Sequence, residues 1–196
     1  YSSSSCVYGN ISEPISEAIK EYSLDTPYAI TKLLGEQYVN FFHHHHDMPT
    51  VILRFFNSYG PGEYPGKYRN VIPNFMYRAM TGQNLTITGT GAETRDFTYI
   101  DNVVHGNLLA SRAPNAPGEV MNLATGGQIS LIDLVSKINA ILKTSIEPIH
   151  AEARTGDIKH SRAGIERAIE LLDFAPIVDF DEGLARTVAW YKDNGG

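Results

Sequence analysis

Residues 50–57 read TVILRFFN, a short run rich in β-branched and aromatic residues, and the Gly- and Pro-rich stretch SYGPGEYPGKYR (58–69) follows it at once. A run of this kind is typical of a buried parallel strand that ends in a loop. It is preceded by a predicted helix over 28–46, for which LDTP (24–27) supplies an N-cap and an early proline. A helix that leads into a buried strand indicates an α/β sheet protein.

The rest of the chain alternates between strands and helices in the same way. YSSSSCVYGN (1–10) ends in a Gly-Asn turn signal, which is typical of the last residues of a strand. We predict further helices at 70–81, 101–112, 130–142, 161–173 and 181–194, and further strands at 85–89, 95–99, 119–124 and 146–151. The predicted fold class is therefore α/β.

The composition limits the size of the protein and its partners. With 196 residues, of which 42% are hydrophobic, the chain suits one ordinary domain or slightly more. The formal net charge is -6 and the Lys and Arg residues are isolated, so we expect no nucleic-acid partner. A nucleotide diphosphate needs only a few well-placed cations, so an acidic protein can still bind one.

The single cysteine, Cys6, excludes an internal disulfide framework, and we expect it to be a small buried residue in a reducing, cytoplasmic setting. The longest apolar runs are too short for a membrane span and the N-terminal residues lack a signal-peptide pattern, so we expect no membrane partner. The run HHHHD (43–47) raises the question of a metal site. Consecutive helical residues point around the helix, which favours a solvated helix end and no metal.

A dinucleotide-binding loop is missing from the sequence. No G-x-G-x-x-G follows a predicted strand. GTGAETRD (89–96) enters a predicted strand and not a helix, and TGGQ (125–128) has the wrong spacing. We therefore expect the chain to lack a complete dinucleotide site.

The pentapeptide YAITK (28–32) carries the candidate chemistry. Tyr28 and Lys32 are four residues apart at the start of a predicted helix, so both side chains lie on one face. A phenol has a pKa of about 10, and it becomes a base near neutral pH only if that value falls by about 3 units, or about 4 kcal/mol. A nearby ammonium in a partly desolvated site can supply this stabilisation, so the pair suits proton transfer at a carbonyl or carbinol. An ordinary amphipathic helix would use the same spacing, and the spacing alone leaves both interpretations open.

Four motifs occur in order along the chain: SSSSCVYG (2–9), RFFNSYGPG (54–62), RDFTYIDNVV (95–104) and RTGD (154–157). Together with YAITK, they make the chain resemble the extended short-chain dehydrogenase/reductase family. Within that family it is similar to the NAD-dependent nucleotide-sugar epimerases and dehydratases, and most of all to the UDP-hexose 4-epimerases. The resemblance runs through the whole chain.

The resemblance implies the C-terminal part of a Rossmann-like parallel sheet with a small mixed α/β substrate-binding domain. Residues 1–60 would be the remnant of an NAD-binding domain whose N-terminal half, with its Gly-rich loop, is absent. Residues 61–196 would mainly bind the nucleotide sugar, with strands and helices returning to the first domain. NAD is the implied cofactor, and its site would be incomplete in this chain, so we expect impaired activity. Family members usually dimerise through two long helices, one of which is the helix at 28–46, so a homodimer is implied.

The resemblance also implies roles for individual residues. The implied catalytic residues are Ser4, Tyr28 and Lys32, and the implied cofactor contacts are Tyr28, Lys32 and Phe55. Ser4 would bond the sugar 4-hydroxyl and Tyr28, while Lys32 would also bond the nicotinamide ribose. The implied substrate-binding residues are Ser4, Asn57, Asn70, Val71, Arg95, Arg154, Asp157 and Ser161.

Within the implied substrate site, Arg95 and Arg154 would clamp the diphosphate, because guanidinium groups make bidentate, charge-assisted bonds to anions. Asp157 would hold the nucleoside ribose. Ser161 is small at a position where a large aromatic residue would wall off the sugar 2-substituent, so N-acetylated hexoses would fit; the alternative is a helix cap. Thr88 offers no ring to the base, so the resemblance gives UDP only as a preference.

The implied reaction is epimerisation at C4 of a nucleotide-diphosphate sugar. Hydride passes from C4 to NAD as the tyrosinate takes the hydroxyl proton, and it returns to the other face of the 4-keto intermediate. In the dehydratases of the family that the chain resembles, acidic residues directly follow the strand-end hydroxyl, whereas this chain has Ser5 and Cys6 there. Epimerisation is therefore favoured. A 4,6-dehydratase or reductase of the same family and a non-catalytic sugar-nucleotide-binding fragment are the alternatives.

Overall fold

The protein is described by a computed structural model that covers residues 1–11, 14–19, 22, 24–66, 70–152 and 160–194. This part of the chain contains ten strands and six helices. The strands are β1 (Ser2–Ser4), β2 (Ile52–Phe55), β3 (Ser58–Tyr59), β4 (Thr86–Thr88), β5 (Thr94–Arg95), β6 (Thr98–Tyr99), β7 (Val120–Leu123), β8 (Ile129–Ser130), β9 (Ile149–Ala151) and β10 (His160–Ser161). The helices are α1 (Pro27–His46), α2 (Val71–Met80), α3 (Ile100–Ala110), α4 (Leu131–Leu142), α5 (Glu166–Leu172) and α6 (Phe180–Asn194).

A parallel sheet in the order β1-β2-β7 lies at the centre of the candidate site. Its register pairs Ser3 with Arg54 and Arg54 with Asn122. Paired residues of adjacent strands point to the same face, so these three polar side chains form one row across the sheet. The parallel sheet with its connecting helices confirms the predicted α/β class.

Helix α1 begins and ends where the sequence provides caps. Thr26 has an extended backbone, its side chain accepts a hydrogen bond from Ala29 N, and Pro27 occupies the first turn. The helix stops at Asp47, whose backbone is left-handed with φ 51°. The helix predicted over 28–46 is therefore confirmed, with a start one residue earlier.

Hydrophobic clusters hold the other elements in place. One cluster packs α2, α4 and α6 together and includes Ile72, Leu134 and Leu184. A second joins α3 and α5 to the central sheet through residues such as Val103 and Leu123. No helix within the described residues is both long and apolar enough to cross a membrane.

A buried ion pair fastens α1 to the sheet. Glu36 of α1 and Arg54 of β2 are each 2% exposed, with Nε–Oε1 and Nη2–Oε2 distances of 2.8 and 2.6 Å. Ser3 Oγ also donates to Glu36 Oε1, at 2.5 Å. The Arg54 guanidinium lies 4.7 Å from the ring centroid of Tyr8, whose hydroxyl donates to Asn122 Oδ1 at 2.7 Å. The polar row on the sheet is thus joined into one buried network.

The turn between β4 and β5 is closed by its own acidic residue. Gly89 and Gly91 have positive φ values of 91° and 85°, which glycine adopts easily. The Glu93 carboxylate accepts hydrogen bonds from Thr90 N, Thr90 Oγ1 and Gly91 N at 3.1, 3.1 and 2.7 Å. The amides of this Gly-rich turn are therefore engaged by an internal anion.

Several expected elements differ from the structure in their bounds. The helix predicted at 161–173 begins only at Glu166, because His160 and Ser161 form β10 and pair in parallel with β5. The strand predicted at 95–99 is divided into β5 and β6. The predicted loop at 58–69 begins with β3, which pairs with β6. Cys6 is exposed and not buried, because it lies in the short turn where the chain leaves β1.

The buried ion pair between Glu36 and Arg54 should contribute to the stability of the fold. Glu36→Gln leaves the Arg54 charge buried without its partner, so we expect the free energy of unfolding to fall by about 3 to 5 kcal/mol. Urea denaturation of the chain measures this loss. Glu170→Gln, the same change on the exposed surface of α5, should be close to neutral. The double variant Glu36→Gln/Arg54→Met should recover part of the loss, and a double variant worse than Glu36→Gln would contradict the buried-charge account.

The hydrogen bonds to the Glu93 carboxylate predict that the stability of the chain depends on pH. Burial alone would raise the pKa of the Glu93 carboxyl, but hydrogen bonds from its own amide, Thr90 and Gly91 lower it to about 2. Its contribution to stability is therefore present above the unfolded pKa, near 4.5, and is lost as the pH falls through about 2. We expect the stability gap between the unaltered chain and Glu93→Gln to narrow as denaturation is measured at decreasing pH across this range. A gap that stays constant would show that the turn does not hold the carboxylate.

Candidate functional site

The candidate site lies at the carboxyl edge of the central sheet. Ser4, Phe55 and Leu123 are register neighbours, so β1, β2 and β7 end together. Segments that follow parallel strands at this edge commonly carry binding residues. Asn57 and Thr125 follow two of these strands, and α1 begins in the connection that follows the third.

Tyr28 and Lys32 are brought together in the first turns of α1. Lys32 Nζ lies 5.6 Å from the centroid of the Tyr28 ring and donates to Ser2 O of β1 at 2.9 Å. The Tyr28 side chain is half exposed (52%), and its hydroxyl bonds to no other described residue. A cation held beside an accessible phenol is the arrangement expected from their spacing.

Ser4 lies one residue beyond the Ser3–Glu36 contact, at the end of β1. Ser4 is 7% exposed, and its Oγ caps the following turn by accepting a hydrogen bond from Cys6 N at 3.2 Å. Among the described contacts it does not bond Tyr28, which was the partner implied by the resemblance. Its hydroxyl hydrogen is not used by this cap, since a hydroxyl can donate and accept at once.

The two asparagines expected at the substrate are held by backbone carbonyls. Asn57 has a left-handed backbone (φ 34°), an unusual conformation for a residue other than glycine. Its Nδ2 donates to Asp96 O at 2.9 Å. Asn70 Nδ2 donates to Ser58 O, also at 2.9 Å, just before α2 begins. Asn57 thus connects the end of β2 to the segment between β5 and β6, and Asn70 connects the start of α2 to β3.

Of the two expected diphosphate ligands, only one lies in the described part of the chain. Arg95 is half-buried in β5, where Nη1 donates to Thr94 O at 2.9 Å, and it is paired in register with Ser161 of β10. Ser161 is 4% exposed. Arg154 and Asp157 fall outside the described residues.

Two open clefts are lined by the expected substrate-binding residues Val71 and Asn70. The larger, about 740 Å³, lies between α2 and β4, and its lining includes Val71, Tyr77, Arg78 and Thr88. A smaller cleft of about 390 Å³ is lined by residues 58–63 with Asn70 and Ile100. Val71 and Thr88 therefore face one open cleft, while Asn70 faces the other.

Both Gly-rich turns considered for phosphate binding are occupied from within. The first holds the Glu93 carboxylate, as described above. In the second, Thr125 N and Gly126 N donate to the Asp96 carboxylate at 3.1 and 2.9 Å. The amides of Thr90, Gly91, Thr125 and Gly126 thus donate to carboxylates of the chain itself.

The histidine run lies at the exposed end of α1. His44, His45 and His46 are exposed, and His43 Nδ1 contacts Met48 O at 2.9 Å. The described residues contain no group of three or more metal-binding side chains.

The sequence interpretation missed the buried charged groups. Arg54 and Asp96 lie inside the motifs RFFNSYGPG and RDFTYIDNVV, and Glu36 lies in the helix predicted over 28–46, but the motifs assign no role to any of the three. The signal was available for Arg54, because a charge inside a buried apolar strand requires a partner. For Asp96 no local pattern gives the partners, which lie 29 and more residues away.

Burial shifts the acidity of two groups in this region. It raises the pKa of the Tyr8 phenol to about 12, although Arg54 opposes the shift. Burial also raises the pKa of the Asp96 carboxyl, although four hydrogen bonds from Thr125, Ala163 and Gly126 act in the other direction. Tyr8 therefore stays neutral near neutral pH, which suits a structural role in the buried network.

The chain matches a known protein family and several solved structures. A model described as the NAD dependent epimerase/dehydratase family matches residues 1–124. The chain is similar to the solved structure of an epimerase from Methanothermobacter thermautotrophicus, with 45% identity, a TM-score of 0.95, and coverage of 100% of this chain and 59% of that one.

Two further solved structures carry ligands. A UDP-N-acetylglucosamine 4-epimerase from Methanobrevibacter ruminantium M1, in complex with UDP-N-acetylmuramic acid, is 33% identical with a TM-score of 0.92, over 98% of this chain and 62% of that one. A UDP-glucuronic acid 4-epimerase from Bacillus cereus, in complex with UDP-glucuronic acid and NAD, is 33% identical with a TM-score of 0.90, over 98% of this chain and 60% of that one.

The chain spans about half the length of two curated relatives that it matches, 54% and 53%. The family model covers 124 of the 196 residues and includes the strand ends, α1 and β5. The resemblance read from the motifs is therefore confirmed, and the chain belongs to the NAD-dependent epimerase/dehydratase family.

Proposed function

We propose that the chain carries the proton-transfer and substrate-binding residues of an NAD-dependent enzyme that epimerises C4 of a nucleotide-diphosphate sugar. The substrate class is a UDP-hexose or UDP-N-acetylhexosamine. The observation that carries this proposal is the placement of Lys32 beside Tyr28, with Lys32 bonded to the first residue of β1, the strand that ends at Ser4. A phenol and an ammonium so arranged suit removal of a proton from a secondary alcohol.

The proton chemistry is divided among three side chains. The Lys32 ammonium is held beside the Tyr28 ring by the Ser2 carbonyl and places a positive charge next to the group that transfers the proton. The Tyr28 oxygen takes the proton of the sugar 4-hydroxyl and returns it after C4 is reduced from the opposite face. Ser4 donates its hydroxyl hydrogen to the sugar oxygen while its own oxygen continues to cap the turn.

NAD, when bound, accepts the hydride from C4 and returns it. The described residues fit only the nicotinamide side of this cofactor, through Tyr28 and Lys32 at the ribose and Phe55 at the end of β2. The two Gly-rich turns hold internal carboxylates. The amides of these two turns that bind Glu93 and Asp96 are therefore not proposed as ligands of the NAD phosphates.

Different residues are proposed to bind the diphosphate, the nucleoside ribose and the sugar of the substrate. Arg95, with Arg154, binds the diphosphate, and Asp157 binds the nucleoside ribose. Val71 and Asn70 contact the nucleotide sugar from the two clefts that they line, and Asn57 contacts it from the segment after β2. Residues 61–196 would thus supply most of the substrate site.

Two small residues support particular aspects of specificity. Cys6, directly after Ser5, is exposed at the strand end, where a carboxylic acid would be needed for dehydration. Neither side chain replaces that acid, so epimerisation is the reaction that the site supports. Ser161, in register with Arg95, leaves room for an N-acetyl group on sugar C2.

The outer face of α1 supports a homodimer. Ile30, Leu34, Tyr38 and Phe41 are all exposed, with Tyr38 at 68%. Their spacing of three to four residues places them along one side of the helix. An exposed apolar stripe of this kind marks a contact surface, and the proposed occupant is the same helix region of a second copy.

The diphosphate contact gives a binding test. Arg95→Ala removes a charge-assisted contact, so we expect the dissociation constant for UDP-glucose to rise about 10- to 100-fold. Isothermal titration calorimetry on the chain measures this change. Arg112→Ala, at an exposed arginine beyond α3, serves as the matched control and should leave the affinity unchanged. Equal affinities for Arg95→Ala and the unaltered chain would contradict the assignment.

The proton-transfer role gives an activity test. In the complete gene product with NAD, we expect Tyr28→Phe to slow C4 epimerisation by about 100-fold or more, because the base is lost. Nuclear magnetic resonance of the sugar product measures the rate, and calorimetry should show unchanged UDP-glucose affinity. Tyr64→Phe, at an exposed loop tyrosine, is the control. Retention of activity in Tyr28→Phe would overturn the mechanism.

A further inference from the structure

Asp96 is a buried charged residue without an ion-pair partner among the described residues. It follows Arg95 directly and is 0% exposed. Its Oδ1 accepts from Thr125 N at 3.1 Å and Thr125 Oγ1 at 2.7 Å. Its Oδ2 accepts from Gly126 N at 2.9 Å and Ala163 N at 3.3 Å. Four donors from two distant segments thus converge on one carboxylate.

The backbone of Asp96 adds a third segment to this junction. Asp96 O accepts the hydrogen bond from Asn57 Nδ2 at 2.9 Å. Ala163 lies two residues after Ser161, which is paired in register with Arg95. The segments that follow β2, β7 and β10 are therefore all tied to the residue beside Arg95.

The donor set requires a carboxylate. A buried acceptor with two oxygens satisfies three backbone N–H groups and one hydroxyl, and unpaired buried donors would otherwise be costly. An amide side chain would turn an N–H₂ group toward two of these donors. The chemistry of the junction therefore selects Asp over its neutral analogue.

We propose that Asp96 is a positioning residue for diphosphate binding, which holds Arg95 in place by joining the loops after β2, β7 and β10. This inference rests on the proposed function, in which Arg95 contacts the diphosphate. Asp96 itself is fully buried and does not touch the substrate. Its removal should therefore act on the part of the affinity that the diphosphate contributes.

The test compares UDP with UMP, which differ by one phosphate. In the unaltered chain we expect UDP to bind more tightly, because Arg95 engages the diphosphate. Asp96→Asn should reduce the ratio of UDP to UMP affinity by about tenfold, the value of one charge-assisted contact. Titration calorimetry on the chain measures both ligands, and thermal unfolding is recorded in parallel.

A matched control separates positioning from loss of stability. Asn102 of α3 is also 0% exposed. Its Oδ1 accepts hydrogen bonds from Ile177 N and Val178 N, and its Nδ2 donates to Val178 O. Asn102→Ala should lower the melting temperature without changing the ratio of the two affinities. A fall of the ratio in this control would show a general effect of destabilisation and would overturn the inference.

A milder variant covers the case in which Asp96→Asn does not fold. Thr125→Val removes the 2.7 Å hydroxyl contact to Asp96 and the hydrogen bond that Thr125 Oγ1 accepts from Gly127 N, but leaves the three amide contacts to Asp96 in place. It should reduce the ratio in the same direction by a smaller factor. An unchanged ratio in both variants overturns the positioning role while leaving the proposed function intact. Equal binding of UDP and UMP by the unaltered chain contradicts the proposed function itself, and the inference falls with it.

Discussion

The buried pair of Glu36 and Arg54 is the interaction on which the candidate site depends. Two opposite charges removed from water are tolerated only when both are well paired and hydrogen-bonded. Glu36 meets this condition through Arg54 and Ser3. Because Ser3 precedes Ser4, this one contact sets the position of α1 against the end of β1. Lys32, one helical turn earlier, then reaches Ser2 O, and Tyr28 lies one turn further.

The geometry of the buried pair fixes the position of α1 as well as holding it to the sheet. An apolar substitute of similar volume would often stabilise a fold as well or better. An apolar contact, however, would allow α1 to slide along the sheet, since hydrophobic packing has no direction. The bidentate geometry of Arg54 accepts only one position of Glu36. The helix that presents Tyr28 and Lys32 is thereby fixed in register with the strand that presents Ser4.

The sequence predicted the long elements and failed on the short ones for a physical reason. Helix α1 has a cap, an early proline and a left-handed end, and all three signals are local. β5 and β10 contain two residues each, which is too short for any periodic pattern. They exist because Arg95 and Ser161 meet across the fold. The prediction that residue 161 begins a helix was therefore wrong for a reason that lies in tertiary contacts.

In the candidate site, too, contacts between nearby residues could be predicted from the sequence, whereas contacts between distant residues could not. The pairing of Tyr28 with Lys32 follows from a spacing of four residues and could be predicted. The anchor of Lys32, by contrast, is 30 residues away at Ser2 O, and the motif match supplied its neighbourhood but not the contact. The implied bond between Ser4 and Tyr28 is absent among the described contacts, since Ser4 Oγ caps the adjacent turn. The motifs thus identified Tyr28, Lys32 and Ser4 as candidate residues, whereas the hydrogen-bond partners of Lys32 and Ser4 became known only from the structure.

The overall charge of the chain gives a misleading picture of its anion-binding capacity. The net charge is -6, but three of the acidic residues are ion-paired or hydrogen-bonded within the chain. Glu36 is paired with Arg54, Glu93 is bound by turn amides, and Asp96 is bound by four N–H and O–H donors. Charges engaged in this way contribute less to the field felt by a ligand, because donors close to each carboxylate offset it. Under the proposed function, an acidic protein presents Arg95 to a diphosphate, and the acidic residue next to Arg95 aids binding by fixing its position.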